Sequence, residues 1–161
     1  VMGRDQTRHR ARERTRQSLL AKAQKQTKMG SPFGNCLEAC IATLVGAPLS
    51  AVPDPRNRTR NPDMAERLIP LRRPLMAAWL ASNYQLTMVS DEGDAPPGVL
   101  LRTQDMPLYW IASGPSNRGL GHAVIYENNQ LFFDPHPSDD GIEEVDAWTV
   151  LVPLGALWEK V

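Results

Sequence analysis

The chain has 161 residues, of which 42% are hydrophobic and 22% charged, a composition typical of one globular domain. Its longest unbroken apolar run is seven residues, 75–81, whereas a membrane-spanning helix needs about 20, so the sequence excludes such a helix. Two cysteines are too few for a disulfide framework, and no apolar segment follows the basic N-terminus as it would in a secretory signal. These features favour a cytoplasmic protein with no membrane partner.

The charge is unevenly distributed along the chain. The 18 Lys/Arg balance the 18 Asp/Glu overall, yet residues 1–30 hold nine basic and two acidic side chains. The pattern predicts a basic arm over residues 1–23, mostly helical, followed by one domain over residues 24–161. An arm of this kind is a candidate for binding nucleic acid or an acidic partner. Because neither an aromatic residue nor a binding motif accompanies the charge, a solvated segment is the better interpretation.

Residues 35–46 give the clearest helical pattern. Apolar side chains recur at the spacing of one helix face, namely Leu37, Cys40, Ile41, Leu44 and Val45. Asn35 suits the N-cap, and Gly46 suits the end of the helix. The pattern predicts a buried helix at this point.

The next segment, residues 47–74, carries six prolines and is predicted to be an irregular connection with at most short turns. A second helix is predicted over residues 74–83, with Pro74 at its first position. The residues expected to face inward are Leu75, Ala78, Trp79 and Ser82.

The second half of the chain is dominated by short apolar and β-branched runs. They predict six strands, over residues 85–90, 98–102, 107–112, 121–127, 130–134 and 148–153. The intervals between them are too short for crossover helices, so the sheet should be mostly antiparallel. Helices that precede strands in this way indicate an α+β fold.

Cys36 has a position that suits a reactive thiol. It directly follows the predicted N-cap, and unpaired N–H groups and the positive end of the helix dipole stabilise a thiolate there. Cys40 lies within the apolar stripe and is predicted to be a core residue. A zinc site on this pair is disfavoured, because a structural zinc ion needs four converging ligands.

A thiolate nucleophile needs a base and a group that orients the base. His9 lies in the basic arm, and His136 lies between two prolines where exposure is expected. His122 opens the apolar strand 121–127, and Asp134 closes the next strand, so both lie at the same end of one hairpin. The plain alternatives are a satisfied edge histidine and a carboxylate that starts a turn before proline.

The register of this hairpin decides whether His122 and Asp134 can meet. Side chains alternate between faces along a strand. A regular two-residue turn at Asn128 and Asn129, which local turn chemistry favours, puts the two side chains on opposite faces. A three-residue loop or a bulge puts them on one face. We predict the odd register or its bulged equivalent, with His122 turned toward the N-terminus of the Cys36 helix.

The two blocks GNCLEAC and GHAVIYENNQLFFDPHPS resemble the papain-like cysteine peptidases, in which Cys, His and Asp or Asn follow in this order. Within that superfamily the chain resembles the branch of bacteriocin-processing (double-glycine leader) peptidases and small papain-like proteins of phages and bacteria. The resemblance covers about residues 24–140. It implies a papain-like fold in which the nucleophile helix packs on a C-terminal, mostly antiparallel sheet.

The resemblance also implies roles for individual residues. Cys36 would be the nucleophile, His122 the general base and acid, and Asp134 the group that orients the imidazole. The oxyanion hole would combine the backbone N–H of Cys36 with a glutamine side chain, for which Gln26 is the best candidate and Gln24 a weaker one. Gln26 lies ten residues before Cys36, farther than is usual in the family, and the loop at residues 30–34 would take up the difference.

These roles imply a cysteine hydrolase that cleaves a peptide or isopeptide amide through an acyl-enzyme, with a peptide or protein substrate and no cofactor. Amide transfer and deamidation use the same triad and are alternatives within the class. A non-catalytic papain-like module that binds its partner through the basic arm is the alternative from a different class.

Overall fold

The structure, a computed structural model, describes residues 3–98 and 108–157. Within these residues four α-helices come first: α1 (Arg4–Ala21), α2 (Cys36–Val45), α3 (Pro62–Leu68) and α4 (Arg72–Tyr84). Five strands follow: β1 (Leu86–Glu92), β2 (Tyr109–Pro115), β3 (Gly121–Glu127), β4 (Gln130–Phe133) and β5 (Ala147–Pro153). The helix predicted over residues 35–46 and the strand predicted over residues 121–127 are confirmed.

The strands form one sheet in the order β1-β5-β2-β3-β4. Every neighbouring pair is antiparallel, as expected for strands joined by such short connections. The protein therefore has an α+β fold with an antiparallel sheet. Of the strand predicted at residues 98–102, residues 99–102 lie outside the described residues.

The main core lies between the sheet and helices α2 and α4. Alternate residues of β2 and β3 face these helices, and the cluster includes Leu37, Ile41, Met76, Leu80, Ile111, Ala123 and Ile125. A second cluster comprises Leu108, Trp110, Ala112, Val124, Trp148 and Val150. Trp110, whose role the sequence leaves open, belongs to this second cluster and donates its indole N–H to the Asn128 carbonyl at 2.6 Å.

The basic arm is a largely exposed helix. Helix α1 ends at Ala21, two residues before the end of the predicted arm. It is joined to the sheet by a 3.4 Å ion pair between Arg16 and Glu127 and by the Arg16 guanidinium over the ring of Phe132. Within residues 3–98 and 108–157, no helix is long and apolar enough to cross a membrane.

The segment predicted to be irregular, residues 47–74, is more ordered than expected. It contains helix α3, started by Pro62 after an Asn61 side-chain cap that accepts from two backbone N–H groups. Three short 3-10 helices occupy residues 49–51, 55–58 and 69–71. The prolines begin these turns instead of preventing them.

Helix α4 also differs from the prediction, in start and in orientation. It begins at Arg72, two residues before Pro74. Its buried residues are Met76 and Leu80, while the predicted inward residues Leu75, Ala78 and Ser82 are exposed and Trp79 is half-buried. The reason is the side chain of Arg72, which binds Glu38 of α2. Residues 72, 76 and 80 share one helix face, so this ion pair turns that face toward the core.

Candidate active site

The two cysteines lie on α2 in different environments, as predicted. Cys36 is the first residue of the helix and is partly exposed. Cys40 is fully buried, and its thiol donates to the carbonyl of Ala123 at 3.5 Å. Burial, followed by the interaction with Cys36, raises the pKa of Cys40, so Cys40 is an inert core thiol. Cys36 is the thiol open to chemistry.

Asn35 occupies the N-cap position of α2, but its side chain does not cap the helix. Its carboxamide oxygen instead accepts from the backbone N–H groups of Thr27 and Lys28, both at 3.0 Å, and its nitrogen donates to the Thr27 hydroxyl at 3.0 Å. The Asn35 N–H donates to the Lys28 carbonyl at 3.2 Å. These bonds close the loop at residues 29–34 at its base. As a result, Gln26 lies beside the start of α2 despite the ten-residue separation.

The hairpin of β3 and β4 combines both of the registers considered. Glu127 pairs with Gln130 across a two-residue turn, and Asn128 adopts φ = 53°, as such turns require. One extra residue then intervenes on β4, because Tyr126 pairs with Leu131 while Ile125 pairs with Phe133. The bulge restores the odd parity, and the predicted bulged register is confirmed.

His122 and Asp134 meet on one face, as that register requires. The Nε2 atom of His122 lies 2.6 Å from Oδ1 of Asp134, and both side chains are buried. Because Nε2 is engaged by the carboxylate, Nδ1 is the ring nitrogen left for Cys36. Burial of the ring opposes its protonation, but the hydrogen bond to Asp134 and then the interaction with Cys36 raise the pKa of His122 to about 9.

Asp134 is held as a carboxylate from several sides. Its Oδ1 also accepts from the N–H of His136 at 2.8 Å, and its Oδ2 accepts from the N–H of Gly141 at 2.7 Å. Burial alone would raise the pKa of Asp134, but the bond from His122 and the two backbone bonds lower it. The group is therefore ionised and fixed in place to orient the imidazole.

The segment at residues 25–28 joins the two halves of the site. The Lys25 ammonium donates to the carbonyls of Asp134 at 2.8 Å and His136 at 3.1 Å, and it pairs with Asp139. The N–H of Gln26 donates to the carbonyl of Pro135 at 3.0 Å. This segment thus fixes the Asp134 loop relative to the start of α2.

A cleft of about 660 Å³ runs between the start of α2 and the β2–β3 turn. Its lining includes Cys36, His122 and Gln26, so the structure brings the predicted nucleophile, base and oxyanion residue together. Gln26 is 6% exposed, and its Nε2 donates to the Lys28 carbonyl at 2.9 Å. Its Oε1 has no hydrogen-bond partner, unlike the other buried side-chain oxygens and nitrogens of the described residues. Gln24 is turned away, since its Oε1 accepts from the N–H of Leu49.

His136 belongs to this site, although exposure was predicted for it. Its half-buried ring lines the cleft and stands edge-on to the His122 ring, with the centroids 5.9 Å apart. The bulged register explains the contact, because continuing it from Ile125 and Phe133 sets residue 136 opposite residue 122. The prolines on either side of His136 do not form a free turn, because the His136 N–H donates to the Asp134 carboxylate at 2.8 Å.

A buried charge network behind Cys36 was not predicted. Glu38, 1% exposed, lies between Arg56 at 3.3 Å and Arg72 at 2.7 Å, and Arg56 also pairs with Asp54 at 2.8 Å. Arg56 further donates to the carbonyls of Pro32 and Gly34, directly before the nucleophile. The signal in the sequence was a glutamate among the apolar residues of α2, which needs a cationic partner when buried.

Comparison with known proteins adds no relative to this description: no family model, no curated protein and no solved structure matches the chain. The described residues contain no group of three or more His, Cys, Asp or Glu side chains placed to hold a metal ion. The features of the site that bear on its chemistry are the thiol of Cys36, the imidazole of His122 and the carboxylate of Asp134.

Proposed function

We propose that the protein is a papain-like cysteine hydrolase that cleaves an amide bond of a peptide or protein. The observation that carries the proposal is the buried 2.6 Å bond between His122 and Asp134, with His122 lining the same cleft as Cys36. A nucleophile, a base and a group that orients the base are the parts required for covalent acyl transfer. Their order along the chain and the antiparallel sheet behind α2 support the papain-like assignment.

In the proposed acylation, the Cys36 thiolate attacks the carbonyl carbon of the amide. The Cys36 N–H, which as the first N–H of α2 has no partner within the helix, and the second N–H of Gln26 Nε2 stabilise the oxyanion. The carbonyl then re-forms as the C–N bond breaks. The Nδ1 proton of His122 passes to the leaving nitrogen, and a thioester remains on Cys36.

In the proposed deacylation, His122 removes a proton from water as the water oxygen attacks the thioester carbon. The C–S bond breaks, the carboxylic acid leaves and the thiolate of Cys36 is restored beside the protonated imidazole. Asp134 keeps Nδ1 aimed at the reacting atoms and stabilises the imidazolium in both steps. An amine in place of water gives amide transfer, and a glutamine or asparagine side chain as the substrate gives deamidation.

The proposal is tested first with a panel of peptide aldehydes and peptide vinyl sulfones, read by intact-protein mass spectrometry. We expect a single adduct, mapped to Cys36, on the unaltered protein and on Cys40→Ala. Cys36→Ala should form none. The absence of an adduct across the panel, or an adduct on Cys40, would contradict the proposal.

The reaction class is tested by incubation of the protein with a complex peptide mixture, followed by mass spectrometry. New N-termini indicate hydrolysis, a labelled amine incorporated into peptides indicates transfer, and conversion of amide to acid side chains indicates deamidation. Each product should disappear in Cys36→Ala and in His122→Gln. If the protein is instead a binding module, no product forms, and removal of α1 abolishes binding to its partner.

A further inference from the structure

The cleft carries more basic side chains than its own acidic groups neutralise. Four arginines line it: Arg56, Arg72, Arg73 and Arg118. Arg56 and Arg72 are bound to the carboxylates of Asp54 and Glu38 in the buried network. The other two arginines are exposed, and within the described residues neither lies within ion-pair distance of a carboxylate.

The two unneutralised guanidinium groups are held in place by neutral partners. Arg73 donates to the hydroxyl of Ser90 at 2.9 Å, and Arg118 donates to the hydroxyl of Ser138 at 3.1 Å. One hydroxyl bond leaves most of the five N–H donors of an arginine unused. Each serine thus orients an arginine side chain without neutralising its charge. The remaining N–H groups of the guanidinium can then donate to the two oxygens of a carboxylate.

The two groups belong to different walls of the cleft. Arg73 is the second residue of helix α4, and partial burial of its guanidinium, followed by the charge of Arg72, lowers the pKa of Arg73. Arg118 lies in the turn between β2 and β3, four residues before His122. Asp146 is the one acidic residue among the described lining residues. An anionic ligand that spans the cleft would therefore relieve repulsion beside Arg73 and meet, at Arg118, a cation with no ion-pair partner among the described residues.

We propose that the cleft selects substrates that carry carboxylates, namely acidic peptide segments, through Arg73 and Arg118. The inference rests on the proposed function for the choice of a peptide, because the anionic groups of an unmodified peptide are carboxylates. The carboxylates come from Asp or Glu side chains or from a chain terminus. Each arginine forms a pair with one carboxylate, Arg73 from helix α4 and Arg118 from the turn between β2 and β3.

The test measures binding alone, on the Cys36→Ala protein, so that turnover plays no part. Fluorescently labelled pools of short peptides, acetylated and amidated at the termini, carry either Asp and Glu or their isosteres Asn and Gln at the same positions. A third pool has the neutral side chains and a free C-terminal carboxylate. Dissociation constants are read by fluorescence anisotropy at low and at high salt.

We expect the acidic pool to bind more tightly than the neutral pool, with Arg73→Gln and Arg118→Gln each reducing this preference about fivefold, as for one partly exposed ion pair. Added salt should reduce it as well. Arg67→Gln, which removes an exposed arginine of α3 outside the cleft, should leave it unchanged. A preference for the third pool with the same dependence on the two arginines identifies the chain terminus as the source of the carboxylate.

Equal binding of the acidic and neutral pools, no measurable binding of the acidic pool, or a preference that survives loss of both arginines would overturn the inference. These outcomes are separate from those of the electrophile panel. A protein that forms the Cys36 adduct but shows no preference keeps the proposed function and loses the acidic substrate. A protein that shows the preference but never forms the adduct loses the proposed function.

Discussion

Replacement of Asp134 by asparagine removes the charge that holds the proton on His122. In the native protein the pKa of His122 is raised from its ordinary 6.5 to about 9. Because one pKa unit corresponds to about 1.4 kcal/mol, the folded state stabilises the imidazolium by about 3 kcal/mol. A raised histidine pKa stabilises the fold fully below the unfolded value near 6.5, and this stability is lost as the pH rises through about 9.

The bond to Asp134 is the largest of the effects that raise this pKa. Asp134→Asn should therefore lose most of the 3 kcal/mol at a pH below about 6.5. The ring pKa of His122 should move toward 6.5 in an NMR titration, with His122→Gln used to assign its signal. Urea unfolding at a pH below about 6.5 and at a pH above about 9 gives the free energy of unfolding in each condition. The control is Asp140→Asn, which removes an exposed carboxylate from the same loop.

Two results would refute this reasoning. One is a His122 that titrates near its ordinary pKa in the native protein. The other is an Asp134→Asn variant in which the pKa of His122 is unchanged, since the carboxylate would then not be the group that holds the proton.

Three further predictions concern stability, each measured by urea unfolding. Glu38→Gln should lower the free energy of unfolding by about 3 kcal/mol, because it leaves buried arginines without their shared carboxylate. The control Glu66→Gln, at an exposed position, should change it by no more than about 0.5 kcal/mol. Equal effects of the two substitutions would mean that the buried network does not stabilise the fold. Gly114→Ala should cost about 3 kcal/mol or more, because its Cβ would lie 1.9 Å from the Glu144 carbonyl oxygen. The control Gly121→Ala should be tolerated, because no atom lies within 4 Å of the added carbon. Deletion of residues 1–21 should cost at most about 1 kcal/mol, since helix α1 is largely exposed and the Arg16–Glu127 ion pair that joins it to the sheet lies at the surface. A larger loss would mean that the arm is part of the domain.

The sequence was sufficient for the parts of the fold that depend on local pattern. The apolar stripe of α2, its end at Gly46 and the alternation in β3 each follow from spacing within about ten residues. Strand parity showed that His122 and Asp134 can meet only through an odd loop or a bulge. The catalytic interpretation chose that register against the local turn chemistry, and no turn residue specifies the bulge that the structure contains.

The features that were missed depend on contacts between distant segments. The orientation of α4 is set by Arg72, whose partner Glu38 lies 34 residues away. Either face of α4 is apolar enough to be buried, so periodicity could not choose between them. Arg56 is buried because it satisfies two carboxylates and two carbonyls at once, an arrangement that composition cannot show. The inclusion of His136 in the cleft likewise depends on the position of the bulge.

The central claim, that Cys36 is activated by the His122–Asp134 pair, is tested most directly by the rate at which iodoacetamide modifies Cys36. The rate is measured near neutral pH by peptide mapping, in the native protein and in the same protein unfolded in urea. We predict that native Cys36 reacts faster than unfolded Cys36, and that His122→Gln removes the acceleration while His9→Gln, in the exposed arm, does not. Native Cys36 that reacts no faster than unfolded Cys36, or an acceleration that survives His122→Gln, would contradict the account.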